Sequence, residues 1–341
     1  NQRLEFWDDK HFQKAYDGKL YTTGFFEASR GCMHKCHYCI NRAFQVFQEE
    51  SGKARRNKSV DKIINEVKEL HKERNFGLIM WTDDNFLARN PKELDELFSR
   101  WEKEIKVPYW INTCIETVND RNLTQLKSSG CVGIGIGLET GSDWVRQHLL
   151  LKGRMNNKFY MEKFGLIAKY KIRVTANNMI GIPGEYEEDF FETIKLNKAI
   201  RSLGEDITSF DVTFMAPYMG TVIHNISLEM DLIDAHDEPG FKGMSRANIS
   251  MRMEPTMRNP VMSREKIMEL YYDFADYVSG KKEIPEKFLK DDPERRFADS
   301  QEIYDLYNKY IQGPIDPFMV IPKNGIKLKK QKNLTTSKGL N

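Results

Sequence analysis

Six times between about residue 20 and residue 216, a short apolar run of strand length is followed by an amphipathic helical pattern. No other feature of the chain constrains its fold as tightly. Strands joined through helices must run parallel, with right-handed crossovers. The predicted strands are residues 20–28, 77–81, 109–116, 132–138, 172–182 and 207–216. Helix starts are written between them: Ser59 precedes the apolar stripe Val60, Ile63, Ile64, Val67 and Leu70, and Asn90 precedes Pro91 at a first helical position. Six units are too few for a closed eight-stranded barrel. The expected fold is therefore α/β, a partial (open) six-stranded parallel β/α barrel. Strand interiors are mostly apolar, whereas most strands end on polar or glycine-containing clusters. Such barrels carry their chemistry on that C-terminal rim, on loops from several strands.

After about residue 226 the alternation stops. Ser263 caps a helix with Ile267, Leu270, Tyr271, Phe274 and Tyr277 on one side, which gives a mainly helical C-terminal extension. The expected organisation is a linker remnant at 1–17, the core at 18–225, an extension covering the barrel at 226–322 and a lysine-rich tail at 323–341. A chain of 341 residues exceeds the roughly 250–300 at which one core stops growing. Its formal net charge of +2 is not that of a dedicated nucleic-acid binder. No apolar run approaches the length of a membrane helix and no signal peptide is visible, so no membrane span is expected.

Three of the five cysteines crowd into one loop just after the first strand: Cys32, Cys36 and Cys39, spaced C-x3-C-x2-C. That density suits metal chemistry in a reducing cytoplasm better than a disulfide framework. Three thiolates can hold three corners of a cubane iron–sulfur cluster and leave one iron open. The alternative is a Cys3His zinc site using His34 or His37. Cys114 and Cys131 read as small buried hydrophobes.

The loop and its approach, Glu27-Ala28-Ser29-Arg30-Gly31-Cys32, resemble those of the radical S-adenosylmethionine (radical SAM) superfamily. The resemblance is to the branch that usually carries an N-terminal cobalamin-binding domain. Four further segments are similar, in the same order and at strand ends: Thr82-Asp83-Asp84-Asn85-Phe86; Gly137-Leu138-Glu139-Thr140-Gly141-Ser142; Met179-Ile180-Gly181-Ile182-Pro183-Gly184-Glu185; and Ala216-Pro217-Tyr218-Met219-Gly220-Thr221. The resemblance covers about residues 18–225.

It implies a [4Fe-4S] cluster on Cys32, Cys36 and Cys39, with S-adenosylmethionine bound to the open iron. It implies reductive cleavage of that cofactor to a 5′-deoxyadenosyl radical, which abstracts hydrogen from a small or lipid-linked metabolite. An external electron donor such as flavodoxin or ferredoxin is the implied partner. Residue by residue, Tyr38 matches the position beside the adenine, Asp83 and Asp84 the region that binds the methionyl ammonium, and Glu139 the ribose-binding position. Strand alternation lets only one of Asn177 and Asn178 face the lumen, and Asn178 is the candidate. Gly181, Pro183 and Pro217 are expected to let backbone approach the cofactor. Alternate glycines at 133, 135 and 137 should leave one face of the fourth strand uncrowded, with Glu139 pointing to that face.

The cobalamin domain of that branch is absent from the chain, which opens at Asn1 rather than Met. Cobalamin is therefore expected only where an upstream domain supplies it. The segment at 234–240, Asp-Ala-His-Asp-Glu-Pro-Gly, nearly spells a cobalamin-binding D-x-H-x-x-G motif but has one residue too many. Two competing functions remain, a non-catalytic zinc-binding scaffold and an RNA-modifying radical SAM enzyme. The second would lean on the lysine tail and on Arg55, Arg56 and Lys58. Nucleic acid is not the expected partner, since short charge runs are usually solvated faces.

Overall fold

A computed structural model describes residues 13–48, 53, 55–233, 255, 257–289 and 303–309. The lysine-rich tail, the 234–240 segment and about half of the C-terminal extension lie outside the described residues.

Nine strands occur among them: β1 (Gln13–Tyr16), β2 (Lys19–Phe26), β3 (Ser29–Arg30), β4 (Arg56–Asn57), β5 (Leu78–Trp81), β6 (Tyr109–Thr113), β7 (Cys131–Glu139), β8 (Arg173–Ile180) and β9 (Thr208–Phe214). Seven form one sheet in the order β1-β2-β5-β6-β7-β8-β9. From β2 to β9 every pairing is parallel, so the six expected strands and the open α/β half-barrel are present. The polar run Gln13–Tyr16 adds an antiparallel strand to the β2 edge. β3 and β4 form a separate two-stranded ribbon beside the cysteine loop.

The intervening helices are α1 (Ile40–Gln48), α2 (Val60–Arg74), α3 (Pro91–Arg100), α4 (Asp120–Ser128), α5 (Asn157–Lys169) and α6 (Glu187–Arg201). They are followed by α7 (Val222–Glu229) and α8 (Arg264–Ser279). Ser59 and Asn90 cap α2 and α3 by accepting from Lys62 N and Lys92 N, as their sequence positions predict. Ser263 does the same for α8 through Lys266 N.

The main core lies between the sheet and its helices. Phe26, Ile79, Trp81, Ile111, Ile134, Ile136, Val174 and Ala176 from the strands meet Ile64, Val67, Leu97, Leu123, Phe164 and Ile200 from the helices. These strand residues alternate, so their neighbours must face the concave side. A second cluster packs α8 against α6 and β9, with Phe214 stacked on Tyr271 at 4.1 Å between ring centroids. Among the described residues, no helix is long and apolar enough to cross a membrane.

Candidate functional site

Five hydrogen bonds anchor the cysteine loop. Gln45 Nε2 donates to the Cys32 and His34 carbonyls. His37 N donates to Leu150 O at 2.9 Å, and His37 O accepts from Ile223 N at 3.2 Å. The His37 ring contacts Leu149 O through Nδ1 at 2.8 Å. Burial pushes its pKa down to about 4. His37 is thus a neutral strut between the loop and the segment after β7, and among the described residues it lies outside the one set of metal-ligating groups within 4.8 Å of one another.

The geometry also bears on which metal group the loop suits. A single zinc ion holds sulfur at about 2.3 Å, so its thiolates must nearly touch. Among the described residues, Cys32, Cys36 and Cys39 do not form a set with ligand atoms within 4.8 Å of one another. A cubane binds each cysteine to a different iron and needs that wider spread. The loop therefore fits the cluster better than a mononuclear ion. Burial pushes the Cys36 thiol up to about 12 and raises Cys39, whereas a hydrogen bond from Cys114 brings Cys32 down to about 6; a bound cation would ionise all three.

Tyr38 links this loop to the far side of the rim. Its hydroxyl donates to Glu139 Oε1 at 2.9 Å, and Lys152 Nζ donates to the Tyr38 hydroxyl at 3.0 Å and to Glu139 Oε1 at 2.7 Å. Burial opposes the Lys152 charge, but Glu139 and Tyr38 hold its pKa well above the ordinary lysine value. Burial raises Tyr38, which stays a phenol. Glu139 has φ +67°, and the β7–β8 register shifts between Gly137 and Glu139. A left-handed non-glycine residue at a bulge costs of order 1–3 kcal/mol and marks a position held for a reason. The turn folds the carboxylate back over Gly137, where a Cβ would collide with Glu139 Oε1 and approach Lys152 Nζ. Glu139 therefore lies on the glycine face. That face is not uncrowded, because Trp110 covers Gly133 and Asn112 reaches over Gly135. The glycines make room for this chain's own side chains.

Lys152 carried no signal in the sequence. It follows one turn of π-helix, Val145–Leu149, in a loop with no motif of its own. Arg146 rivets the same segment, donating to Asn157 Oδ1 at 2.8 Å and to the Thr140 carbonyl.

The two aspartates divide. Asp83 is 2% exposed and accepts from Ala28 N at 2.9 Å and Ser29 Oγ at 2.5 Å. Both its oxygens are engaged inside the chain. Asp83 holds the approach to the cysteine loop. Asp84 is exposed, accepts from Gly31 N at 3.1 Å and Asn41 Nδ2 at 2.6 Å, and borders the same loop.

Asn178 lies away from the concave side expected of it. It shares the phase of Val174 and Ala176, faces α6, and exchanges amide bonds with Asn197 at 3.1 and 2.9 Å. Asn177 is its concave-side neighbour, in register with Gly137 and Asp211. Gly181 (φ +85°) turns the chain after β8, and Glu185 Oε2 accepts from its N–H at 2.8 Å. A Cβ added at Gly181 would meet Ile267 at ordinary van der Waals distance, while the Pro183 carbonyl accepts from Tyr307 at 2.9 Å. The close approach expected at these two residues is chain to chain. Pro217 is half-buried in the turn after β9.

The model of the Radical SAM superfamily matches residues 26–196. An uncharacterized methyltransferase of Pyrococcus horikoshii is 24% identical over 210 residues, covering 62% of this chain and 43% of that protein. A tRNA-2-methylthio-N(6)-dimethylallyladenosine synthase of Sulfurihydrogenibium sp. is 24% identical over 202 residues, covering 52% of this chain and 41% of that protein. The chain thus spans less than half the length of these curated relatives. Similar solved structures include coproporphyrinogen III oxidase of Escherichia coli (13% identity, TM-score 0.45, covering 74% of this chain and 57% of that one). Another is the cobalamin-dependent S-adenosylmethionine radical enzyme OxsB with aqua-cobalamin bound (14% identity, TM-score 0.42, covering 75% and 30%).

Proposed function

The chain belongs to the radical SAM superfamily, and from that premise we propose that it abstracts hydrogen from a small or lipid-linked metabolite, for methyl transfer or rearrangement. The observation that carries this reading is the bridge from Tyr38, beside Cys39, to Glu139 and Lys152 on the opposite strand end. When bound, a [4Fe-4S] cluster supplies the electron that cleaves S-adenosylmethionine to methionine and a 5′-deoxyadenosyl radical. Cys32, Cys36 and Cys39 are the residues that would hold it.

The chain's own groups match the cofactor's polar ends. The Glu139 carboxylate can accept hydrogen bonds from ribose hydroxyls. The Lys152 ammonium is a buried cation suited to a carboxylate, and Asp84 offers an anion at the loop for an ammonium. Tyr38 adds an aromatic face between them. The rim must also exclude water and stray hydrogen donors. An external one-electron donor such as flavodoxin or ferredoxin, in the cytoplasm, completes the reading; cobalamin enters only with an additional domain.

Anaerobic reconstitution tests it. The chain should bind about four iron and four sulfide, and Cys36→Ala should lose nearly all of both. With dithionite, it should release 5′-deoxyadenosine from S-adenosylmethionine. S-adenosylhomocysteine as the sole product would mean polar methyl transfer and would overturn the radical reading. Glu139→Gln should weaken cofactor affinity roughly ten- to a hundredfold, the worth of a charge-assisted bond, without changing cluster content. A second reading, RNA modification, draws on the similarity to the tRNA methylthio synthase. Steeply salt-dependent RNA binding that survives deletion of residues 323–341 would favour it.

A further inference from the structure

Cys114 ends β6 and points at the cysteine loop. Its Sγ, the Sγ of Cys32 and a ring nitrogen of His34 all lie within 4.8 Å of one another; among the described residues this is the one such set of three metal-ligating groups. Glu116 stands beside this set rather than within its 4.8 Å limit, with Oε1 3.9 Å from His34 Nε2. The donors come from two separate elements. Cys32 and His34 sit on the loop that Gln45 pins through both their carbonyls. Cys114 and Glu116 sit at the end of a core strand, where Cys114 N donates to Asn85 Oδ1 at 3.2 Å. Cys32 is buried, and His34 and Cys114 are partly so.

We propose that Cys32, His34 and Cys114, with Glu116 as fourth donor, form a tetrahedral site for a single thiophilic divalent ion such as zinc, and that its occupation excludes the iron–sulfur cluster by taking Cys32. Two thiolates, an imidazole and a carboxylate are a zinc donor set. The set is tighter than the three loop cysteines, which do not close to the same 4.8 Å limit. Around an ion the three donors must draw together by the order of an ångström and Glu116 must swing further in, adjustments that fall to the side chains because Gln45 holds the loop backbone. The Arg55 guanidinium and the Lys152 ammonium also act on this region. Their repulsion is offset by two thiolates and the Glu116 carboxylate. Ion binding releases the thiol protons, so no oxidant or reductant is involved. The consequence is a choice of metal made at one shared residue. Cys36 and Cys39 belong to the cluster alone, Cys114 and His34 to the single ion alone, and Cys32 to both.

The test uses the full chain, iron-free and anaerobic, titrated with cobalt(II) as a spectroscopic substitute for zinc. One equivalent should bind with thiolate-to-metal charge-transfer absorption in the wild type, in Cys36→Ala and in Cys39→Ala. Cys114→Ala and His34→Ala should weaken binding by about a hundredfold or more, beyond the 10–100-fold lost with an outer-shell partner. Cys114→Ser, which keeps the size and a donor, guards against a folding defect and should bind as poorly while melting normally. Zinc loaded beforehand should slow iron and sulfide uptake in the wild type but not in Cys114→Ala. Unchanged cobalt binding in Cys114→Ala or Cys114→Ser overturns the proposal. So does loss of the spectrum in Cys36→Ala and Cys39→Ala, which would place the ion among the loop cysteines. The proposal is independent of the proposed reaction: a chain that takes no cluster but binds cobalt through Cys114 would refute only the radical reading.

Discussion

On the helix-facing side of β8, Asn178 is 1% exposed and trades amide hydrogen bonds with Asn197. One residue earlier, Asn177 stands half-buried on the concave side, level with Gly137 and Asp211. Asp83 and Asp84 repeat the contrast at the end of β5. The first is sealed against Ala28 and Ser29, and the second is exposed beside the cysteine loop. Adjacent residues of the same type therefore serve different ends, and residue type alone does not reveal which. A polar group whose every bond ends inside the chain belongs to the scaffold, because removing it strands its partners. A polar group on the concave rim has capacity left for something the chain does not contain.

The sharpest way to break this division is to truncate both aspartates. Asp83→Ala should destabilise the fold by about 3 kcal/mol or more, since it strands Ala28 N–H, Ser29 and the nearby buried Arg89. Asp84→Ala should cost under about 1 kcal/mol. Urea unfolding of the two apo variants measures both, and equal losses would erase the distinction.

Glu185 offers an intermediate case. It is fully buried, with Oε2 bonded to Gly181 and Ile182 N–H groups and Oε1 lacking a partner. Burial raises its pKa to about 8, so the folded chain holds a proton that the unfolded chain releases above the ordinary carboxyl range. Its contribution to stability is full below about pH 4.5 and is lost as pH rises through about 8, by roughly 2 kcal/mol or more. Glu185→Gln should flatten that slope. A wild-type chain whose stability rises over the same interval relative to the variant would reverse the assignment.

The asparagine pair should show a smaller difference. Asn178→Ala should cost roughly 1–3 kcal/mol by leaving the buried Asn197 Oδ1 without its donor. Asn177→Ala should stay within about 0.5 kcal/mol. Thermal melts of the two variants side by side read the difference, and a destabilised Asn177→Ala would mean that the concave face also holds the sheet together.

The parallel strands and their helices were legible because apolar alternation and capping residues are local. Ser59, Asn90 and Ser263 announce their helices within four residues. The edge strand Gln13–Tyr16 was not legible, since a short polar run at a sheet edge has no buried face to pattern it. Asn178 could have been placed correctly, because it shares the phase of Val174 and Ala176, whose apolar side chains mark the helix side. Lys152 could not have been. It stands 13 residues beyond Glu139, past an irregular turn, and only the folded chain brings its ammonium to that carboxylate. The nearness of Cys114 to Cys32 was hidden for the same reason, as contacts across 82 residues leave no trace in spacing.

The strut made by His37 has a thermodynamic consequence. It joins the cysteine loop, through Leu149 and Leu150, to the segment that ends two residues later in Lys152. Order in the loop is therefore coupled to order around Glu139 and Lys152, the proposed cofactor cradle. Reciprocity then requires that whatever free energy a seated cofactor gains from an ordered loop, the loop regains as resistance to opening. The small molecule thus becomes a guardian of the metal group as well as its reactant. The rate at which a chelator strips iron, timed with and without saturating S-adenosylmethionine, measures that protection directly, and identical rates would uncouple the two.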